Sequence, residues 1–161
     1  MLLRPLRVAD AALYPDFLNE VTPEDLRLRF FATMREVSHA LIEKLIHYDP
    51  AHAMAFIAIE ENTGRMLGVV RLHYDAEKNG EFAILVRSRL KGRGLGWLMM
   101  KHMIACAKDR QLKTVHGQVL AENSTMLIMC EELGFQITDD TGERGVKRVT
   151  LSLDEVPLQA Y

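Results

Sequence analysis

The feature that most constrains this chain is a short, glycine-spaced loop that joins a predicted strand directly to a predicted helix. The loop reads Lys91-Gly92-Arg93-Gly94-Leu95-Gly96. Alternate glycines let the backbone approach a ligand closely, and the unpaired amides and dipole at a helix start favour negative charge. A phosphate or pyrophosphate is the natural occupant, with a purely structural tight turn as the alternative. The spacing excludes the P-loop pattern GxxxxGKS/T and the dinucleotide pattern GxGxxG.

The elements around this loop follow an order that predicts a mixed α/β sheet. Apolar alternation predicts strands, and a 3.6-residue apolar period behind a capping residue predicts helices. The predicted strands are 2–7, 52–60, 66–74, 81–86, 113–120, 135–138 and 145–153, and the predicted helices are 10–20, 22–31, 38–47, 94–109 and 123–134. No repeat or Pro/Gly-rich linker divides the chain, so residues 1–161 are expected to form one domain.

Charge and hydropathy limit the kinds of partner. Lys and Arg total 20 against 22 Asp and Glu, so the net charge is −2, without the basic excess that nucleic-acid binding normally requires. The longest dense apolar stretch, 97–107, is shorter than a membrane span and contains Lys101. The amino end has no secretory h-region. We therefore expect a cytoplasmic protein that binds neither nucleic acid nor a membrane.

The cysteines and histidines do not have metal-ligand spacing. Cys106 and Cys130 lie in apolar runs without a CxxC pattern, and the six histidines form no HExxH pattern. Both cysteines are expected to be reduced core thiols, and His102 is expected to be a core or interface residue. No bound metal is expected.

Two segments resemble the signatures of the GNAT superfamily of N-acetyltransferases. The 91–96 loop matches the family's Q/R-x-x-G-x-G/A loop, except that Lys91 stands where Gln or Arg is usual. Residues 123–135 read NSTMLIMCEELGF and are similar to the pattern N-x-x-A/M-I/L-x-x-Y-x-x-x-G-F. Cys130 occupies the place of a tyrosine that in many members protonates the departing CoA thiolate. The resemblance covers nearly the whole chain and implies a mixed, mostly antiparallel sheet with helices on both faces.

The same resemblance implies acetyl-CoA as cosubstrate and assigns residues to it. A backbone amide at Leu85 or Val86 would donate to the oxyanion, while the free edge of that strand pairs with pantetheine amides. Asn123 caps a helix by its position, and a contact with pantetheine is an equally weighted interpretation. The residues that would hold the pyrophosphate are Lys91, Gly92, Arg93, Gly94, Leu95 and Gly96.

A general base is needed because an amine with a reference pKa of about 10.4 is mostly protonated at neutral pH. Glu81 opens the strand that runs into the loop, and in the resembling family a glutamate there is the general base, directly or through water. The alternative is a solvated glutamate at a strand end. Cys130 could act as the leaving-group acid, but its apolar stripe favours core packing.

Residues 81–96, together with Leu28-Arg29-Phe30-Phe31, resemble more narrowly the acetyltransferase domain of bacterial protein lysine acetyltransferases of the Pat type. Those enzymes modify acyl-CoA synthetases, so the expected acceptor is a protein lysine. In many of them this domain is fused to a large synthetase-like or ligand-sensing domain, which makes the chain either a stand-alone enzyme or an excised domain.

The acceptor side leaves alternatives open. Arg27, Arg29 and Arg35 could meet acidic residues of a protein substrate or form a solvated helix face. Because acceptor specificity lies in the poorly informative segment 22–48, a small-molecule amine N-acetyltransferase is the second hypothesis. A non-catalytic acyl-CoA-binding or sensing module is the third.

Overall fold

The computed structural model describes residues 1–30, 39–142 and 144–153, and the strands among them form one seven-stranded sheet. The strands are β1 Leu2–Pro5, β2 Ala53–Ile59, β3 Met66–Tyr74, β4 Asn79–Val86, β5 Thr114–Leu120, β6 Gln136–Asp139 and β7 Val146–Ser152. The α-helices are α1 Tyr14–Asn19, α2 Pro23–Phe30, α3 His39–Ile46, α4 Leu95–Asp109 and α5 Ser124–Glu132. The strand order is β1-β2-β3-β4-β5-β7-β6, and only β4 and β5 pair in parallel.

Helices cover both faces of this sheet and close two apolar cores. On one face, Tyr14, Phe17 and Leu26 from α1 and α2 pack with Val69 and Leu85 of the sheet. On the other, residues of α4 and α5 pack with strand residues of opposite alternation. The predicted fold class, a mixed and mostly antiparallel sheet with helices on both faces, is confirmed.

The helix that follows the glycine-spaced loop is mostly buried, as its sequence predicts. Met99, Met100 and Met103 are completely buried in it. His102 packs edge-on against Phe56, with ring centroids 4.6 Å apart. Both cysteines are free thiols, one buried and one half-buried.

The prediction of one helix over 10–20 is wrong. A 3-10 turn, Val8–Leu13, comes first, and α1 begins anew at Tyr14 with Pro15 in its first turn, because proline has no N–H to continue a preceding helix. Asp10 is not the cap. It accepts a hydrogen bond from the Arg7 amide and forms an ion pair with Arg4, both at 2.7 Å.

Two other predicted bounds have different outcomes. Strand β4 begins two residues earlier than predicted. Ser38, the predicted start of α3, lies outside the described residues.

The parallel pair β4 and β5 is hydrogen-bonded over only three residue pairs. These are Asn79 with Thr114, Gly80 with Val115 and Glu81 with His116. The next residue, Phe82, places its ring over Gly117, where an added Cβ would lie 2.6 Å from a ring carbon. Residues 82–86 therefore present an open strand edge to a gap between β4 and β5.

A charge network ties α1 to the end of β4. Arg87, which directly follows β4, is completely buried and donates a 2.6 Å hydrogen bond to the Met66 carbonyl. Its guanidinium pairs with Asp16 at 2.7 Å and Glu20 at 2.9 Å, and Arg65 pairs with the same two carboxylates. The network holds the strand end from which the loop departs.

We expect this network to make stability depend on acid pH. Hydrogen bonds, above all from Arg65, lower the pKa of Asp16 and of Glu20 to about 2 in the folded chain. Because both pKa values are higher in the unfolded chain, the contribution is complete above about pH 4.5 and is lost as pH falls toward 2. Arg65→Gln should make the fall in unfolding free energy shallower in urea titrations between pH 5 and pH 2.5. Arg110→Gln, whose side chain bonds a carbonyl and a hydroxyl, is the control, and equal slopes in both variants would contradict the prediction.

Candidate active site

The glycine-spaced loop has an open backbone surface. Gly92 and Gly94 have φ of +79° and +86°, in the left-handed region that favours glycine. A Cβ added at either position would meet no atom within 4 Å. Gly94 is also the N-cap of α4 and offers no side-chain cap. Tight internal packing therefore does not require these glycines, and they leave the backbone open to solvent.

Several amides around the start of α4 have no internal acceptor. The amides of Lys91 and Arg93 bond to the carbonyls of Ser88 and Leu90. Together with the positive end of the 15-residue α4, the free amides form the kind of cradle that binds phosphate. Within residues 91–97, the amides for which the described structure offers no hydrogen-bond acceptor are those of Gly92, Gly94, Leu95, Gly96 and Trp97.

The two basic side chains of the loop differ in their contacts. The Lys91 ammonium forms a 2.6 Å ion pair with Asp25 of α2, whose other oxygen accepts a 2.5 Å hydrogen bond from the Ser88 hydroxyl. Lys91 therefore connects the loop to α2. Arg93 is exposed and has no ion pair in the described part of the chain, so its guanidinium can reach a bound phosphate.

The hydrogen-bond phase of β4 decides which of its amides face the gap. The Arg87 amide bonds to the Leu67 carbonyl of β3 at 3.0 Å. Because hydrogen-bonded pairs alternate in an antiparallel ladder, Leu85 is in phase with Arg87 and directs its amide toward β3. Val86 and Ile84 direct theirs toward the gap. Of the two predicted donors, Val86 is the one on the open edge, and sequence reasoning missed Ile84 because the ladder phase is not visible without the register.

Glu81 lies between two histidines on one face of the sheet, with His73 of β3 and His116 of β5 as its register partners. Its carboxylate is exposed and has no hydrogen bond or ion pair among the described residues. Burial lowers the pKa of both imidazoles below the ordinary value for histidine, so both are neutral at pH 7. The Nδ1 atom of His116 is buried without a partner in the described ranges. Glu81 is therefore accessible at the point where the gap begins.

A pocket lies on the same face as Glu81. Strand alternation puts Glu81 on one side of β4 with Ala83 and Leu85, which lie opposite Arg71 and Val69 of β3. The pocket extends from these strand residues to the helices of the amino-terminal half. Its lining residues are Tyr14, Leu18, Arg29, Leu45, Val69, Arg71, Ala83 and Leu85.

The three arginines singled out on the acceptor side do not act as one group. Arg29 lines the pocket. Arg27 forms ion pairs with Glu24 at 2.7 Å and Glu122 at 3.0 Å, so it belongs to an exposed network. Arg35 lies outside the described residues. Of the arginines in this set that the structure describes, Arg29 is the one that lines the pocket.

In the second signature, residues 123–135, one residue caps a helix and another packs in the core. The Asn123 side chain accepts a 3.3 Å hydrogen bond from the Met126 amide and so caps α5. Its side-chain N–H groups are left for another partner. Cys130 is completely buried, and burial raises the pKa of its thiol to about 12. A buried thiol of that pKa is a core residue and a poor proton donor.

Comparison with known proteins identifies the family. A family model of the acetyltransferase (GNAT) domain matches residues 1–136. The chain belongs to the GNAT acetyltransferase family. A Pseudomonas aeruginosa acetyltransferase is 30% identical over 156 residues, which cover 94% of this chain and 84% of that relative.

Solved structures agree with this assignment. The GNAT domain of S. lividans PAT has a TM-score of 0.86 and 26% identity to this acetyltransferase, covering 94% of this chain and 89% of that one. The Vibrio cholerae spermidine N-acetyltransferase, solved in complex with CoA and spermine, has a TM-score of 0.74 at 19% identity, covering 94% and 95%, and shows the shared fold.

The residues of this acetyltransferase suit the coenzyme of its family, acetyl-CoA. The free amides of the loop suit a pyrophosphate, and the open edge of β4 can pair with the amides of a pantetheine arm. Across residues 1–30, 39–142 and 144–153, no helix is long and apolar enough to cross a membrane. The same ranges hold no cluster of three or more His, Cys, Asp or Glu that could bind a metal ion.

Proposed function

We propose that this acetyltransferase transfers the acetyl group of acetyl-CoA to the side chain of a protein lysine, with Glu81 as general base. The observation that carries the proposal is the position of Glu81. It is the last residue of β4 that pairs with β5, so its exposed carboxylate stands where the gap opens, on the strand that leads to the phosphate-binding loop. A cytoplasmic location belongs to the same proposal.

The chain would hold the coenzyme along one continuous path. The free amides from Gly92 to Trp97, with the Arg93 guanidinium, would bind the pyrophosphate, and the open edge at Ile84 and Val86 would pair with the pantetheine arm. The remaining Asn123 donors, at the start of α5, are a further contact for that arm. Acetyl-CoA supplies an activated thioester carbonyl at the inner end of this path.

The protein's part in the reaction is to move a proton and to stabilise charge. Glu81 takes a proton from the substrate ammonium, directly or through a water molecule, so that the nitrogen lone pair can form the new N–C bond. The Val86 amide donates to the carbonyl oxygen as negative charge develops there. The C–S bond then breaks, and the new amide nitrogen releases its second proton to solvent. The CoA thiolate leaves and takes a proton from solvent, since Cys130 is buried in the core.

The choice of a protein acceptor has two supports. Residues 81–96 resemble the acetyltransferase domain of Pat-type protein lysine acetyltransferases, and the fold superimposes on the GNAT domain of S. lividans PAT with a TM-score of 0.86. The second candidate, a small-molecule amine, is favoured by the shared fold of the Vibrio cholerae enzyme. Because the family is one of enzymes, the non-catalytic acyl-CoA-binding module is set aside.

The test is to incubate the protein with acetyl-CoA and purified acyl-CoA synthetases and to locate acetylated lysines by mass spectrometry. We expect a single lysine or a few lysines to be modified, well above reactions without enzyme, which record spontaneous acetylation. Spermidine and related amines are assayed in parallel for CoA release. Turnover of these amines with no enzyme-dependent modification of any synthetase would contradict the protein-lysine proposal in favour of the second candidate.

A further inference from the structure

Arg71 is a buried charge without a counter-charge among the residues that the structure describes. Asp10, Arg71 and Arg87 are the buried charged side chains in the described ranges, with 4%, 6% and 0% exposure. Burying an unpaired charge is costly, so buried charges are normally paired. Asp10 pairs with Arg4 at 2.7 Å, and Arg87 pairs with two carboxylates. Arg71 makes no ion pair with any residue that the structure describes.

The hydrogen bonds of Arg71 go to neutral groups. Its Nη1 donates to the Leu45 carbonyl at 2.9 Å, and its Nη2 donates to the Tyr14 hydroxyl at 3.2 Å. Burial raises the pKa of the Tyr14 phenol, which is therefore neutral at pH 7. Leu45 lies in the last turn of α3, where the helix carries only a partial negative charge. A guanidinium has five N–H donors, so Arg71 can bind a further acceptor.

Arg71 occupies a position diagonal to the proposed base in the ladder of β3 and β4. Arg71 is the register partner of Ala83, and Glu81 is two residues further along the same face of β4. The Cα atoms of such diagonal neighbours lie about 7–8 Å apart. Arg29 lines the same pocket, and burial together with the charge of Arg71 lowers its pKa to about 10, so it remains a cation at pH 7. The pocket therefore holds two cations on the sheet face that carries Glu81.

We propose that this pocket is an anion subsite of the acceptor side, in which Arg71 binds a carboxylate carried close to the amine that is acetylated. The proposal rests on the proposed function, because Glu81 must receive the amine. The planar guanidinium fork matches a carboxylate in two parallel hydrogen bonds. A lysine beside an acidic residue of a protein offers both groups, and so does a free amino acid. A polyamine has no carboxylate to offer.

Two pairs of acceptors test the subsite with the 161-residue chain and acetyl-CoA. One pair is a terminally blocked lysine peptide with Asp beside the lysine and the same peptide with Asn. The other is free lysine and cadaverine, its analogue without the carboxylate. We expect kcat/KM of the carboxylate member of at least one pair to be about tenfold to a hundredfold higher, and Arg71→Gln to remove the difference. A preference in the peptide pair alone assigns the carboxylate to a protein acceptor, and one in the lysine pair alone assigns it to a small acceptor.

Two further variants separate charge from structure. Arg71→Lys keeps the charge without the fork and should keep part of the preference. Arg148→Gln removes an exposed arginine of β7 outside the pocket and should keep all of it. Equal kcat/KM within both pairs for the unaltered protein, or a preference that survives Arg71→Gln, would overturn the subsite alone. No transfer to any of the four acceptors or to a synthetase would overturn the proposed function, and the subsite with it.

Discussion

Replacing Glu81 by Gln is expected to lower kcat/KM for a lysine acceptor at pH 7 by about 10²- to 10⁴-fold, the usual contribution of a positioned general base. The amide has the same shape as the carboxylate and cannot accept the proton. The side chain is exposed and has no hydrogen-bond or ion-pair partner among the described residues, so stability and CoA affinity should stay unchanged. Steady-state kinetics, with calorimetry on CoA, measures all three.

The pH profile adds an independent measurement of the same role. Without a base the reaction depends on acceptor molecules that are already neutral, whose fraction rises about tenfold per pH unit toward the amine pKa of about 10.4. The Glu81→Gln variant should therefore recover activity between pH 6 and pH 9 more steeply than the unaltered protein. Glu77→Gln, an exposed glutamate in the preceding turn, is the matched control. Equal rates for Glu81→Gln and Glu77→Gln across this range would show that Glu81 is not the base.

Replacing Gly94 by Ala is expected to weaken CoA binding by about tenfold to a hundredfold. Gly94 has φ of +86° and caps α4, and a left-handed conformation costs a residue with a Cβ about 1–2 kcal/mol. The free loop can relax out of this conformation, so binding must restore it at the expense of affinity. The added methyl group also enters open space beside the free amides, where a phosphate would approach.

Gly64→Ala controls for the backbone strain itself. Gly64 has φ of +72° and open space around its Cβ position, as Gly94 does, but it lies in the turn between β2 and β3. In thermal unfolding, neither variant should lose more than the roughly 1–2 kcal/mol that one left-handed residue with a Cβ costs. Isothermal titration with CoA should then show weaker binding for Gly94→Ala only. Equal CoA affinity in the two variants would mean that the loop does not bind the coenzyme.

Much of the fold could be predicted because its signals are local. Strand β3 and helix α4 occur at or within one residue of their predicted bounds. Alternation, helical period and capping glycines are signals that depend only on residues close together in the sequence. The error at Asp10 arose where two local signals compete. Pro15 permits a helix to start but not to continue, and the sequence alone did not show that the first turn would form separately.

From the sequence alone, the residues of the candidate site could be predicted only where they belong to a recognisable motif. The loop glycines and Glu81 were found from pattern and resemblance, and the structure places them along one strand and its exit. The roles of Ile84 and Arg71 depend on register and on the third dimension. Arg71 sits inside a strand of otherwise apolar appearance, and only the three-dimensional structure shows that no described residue forms an ion pair with it.

The contact between Phe82 and Gly117 fixes how the two strands pack where the pairing of β4 and β5 ends. Residue 117 contributes only a hydrogen atom where a Cβ would collide with the ring. The ring in turn leans edge-on against Phe135, with centroids 5.6 Å apart. The start of the gap between β4 and β5 is thus packed against the hydrophobic core, and substitutions that repack this core should change the gap without altering any residue of the loop.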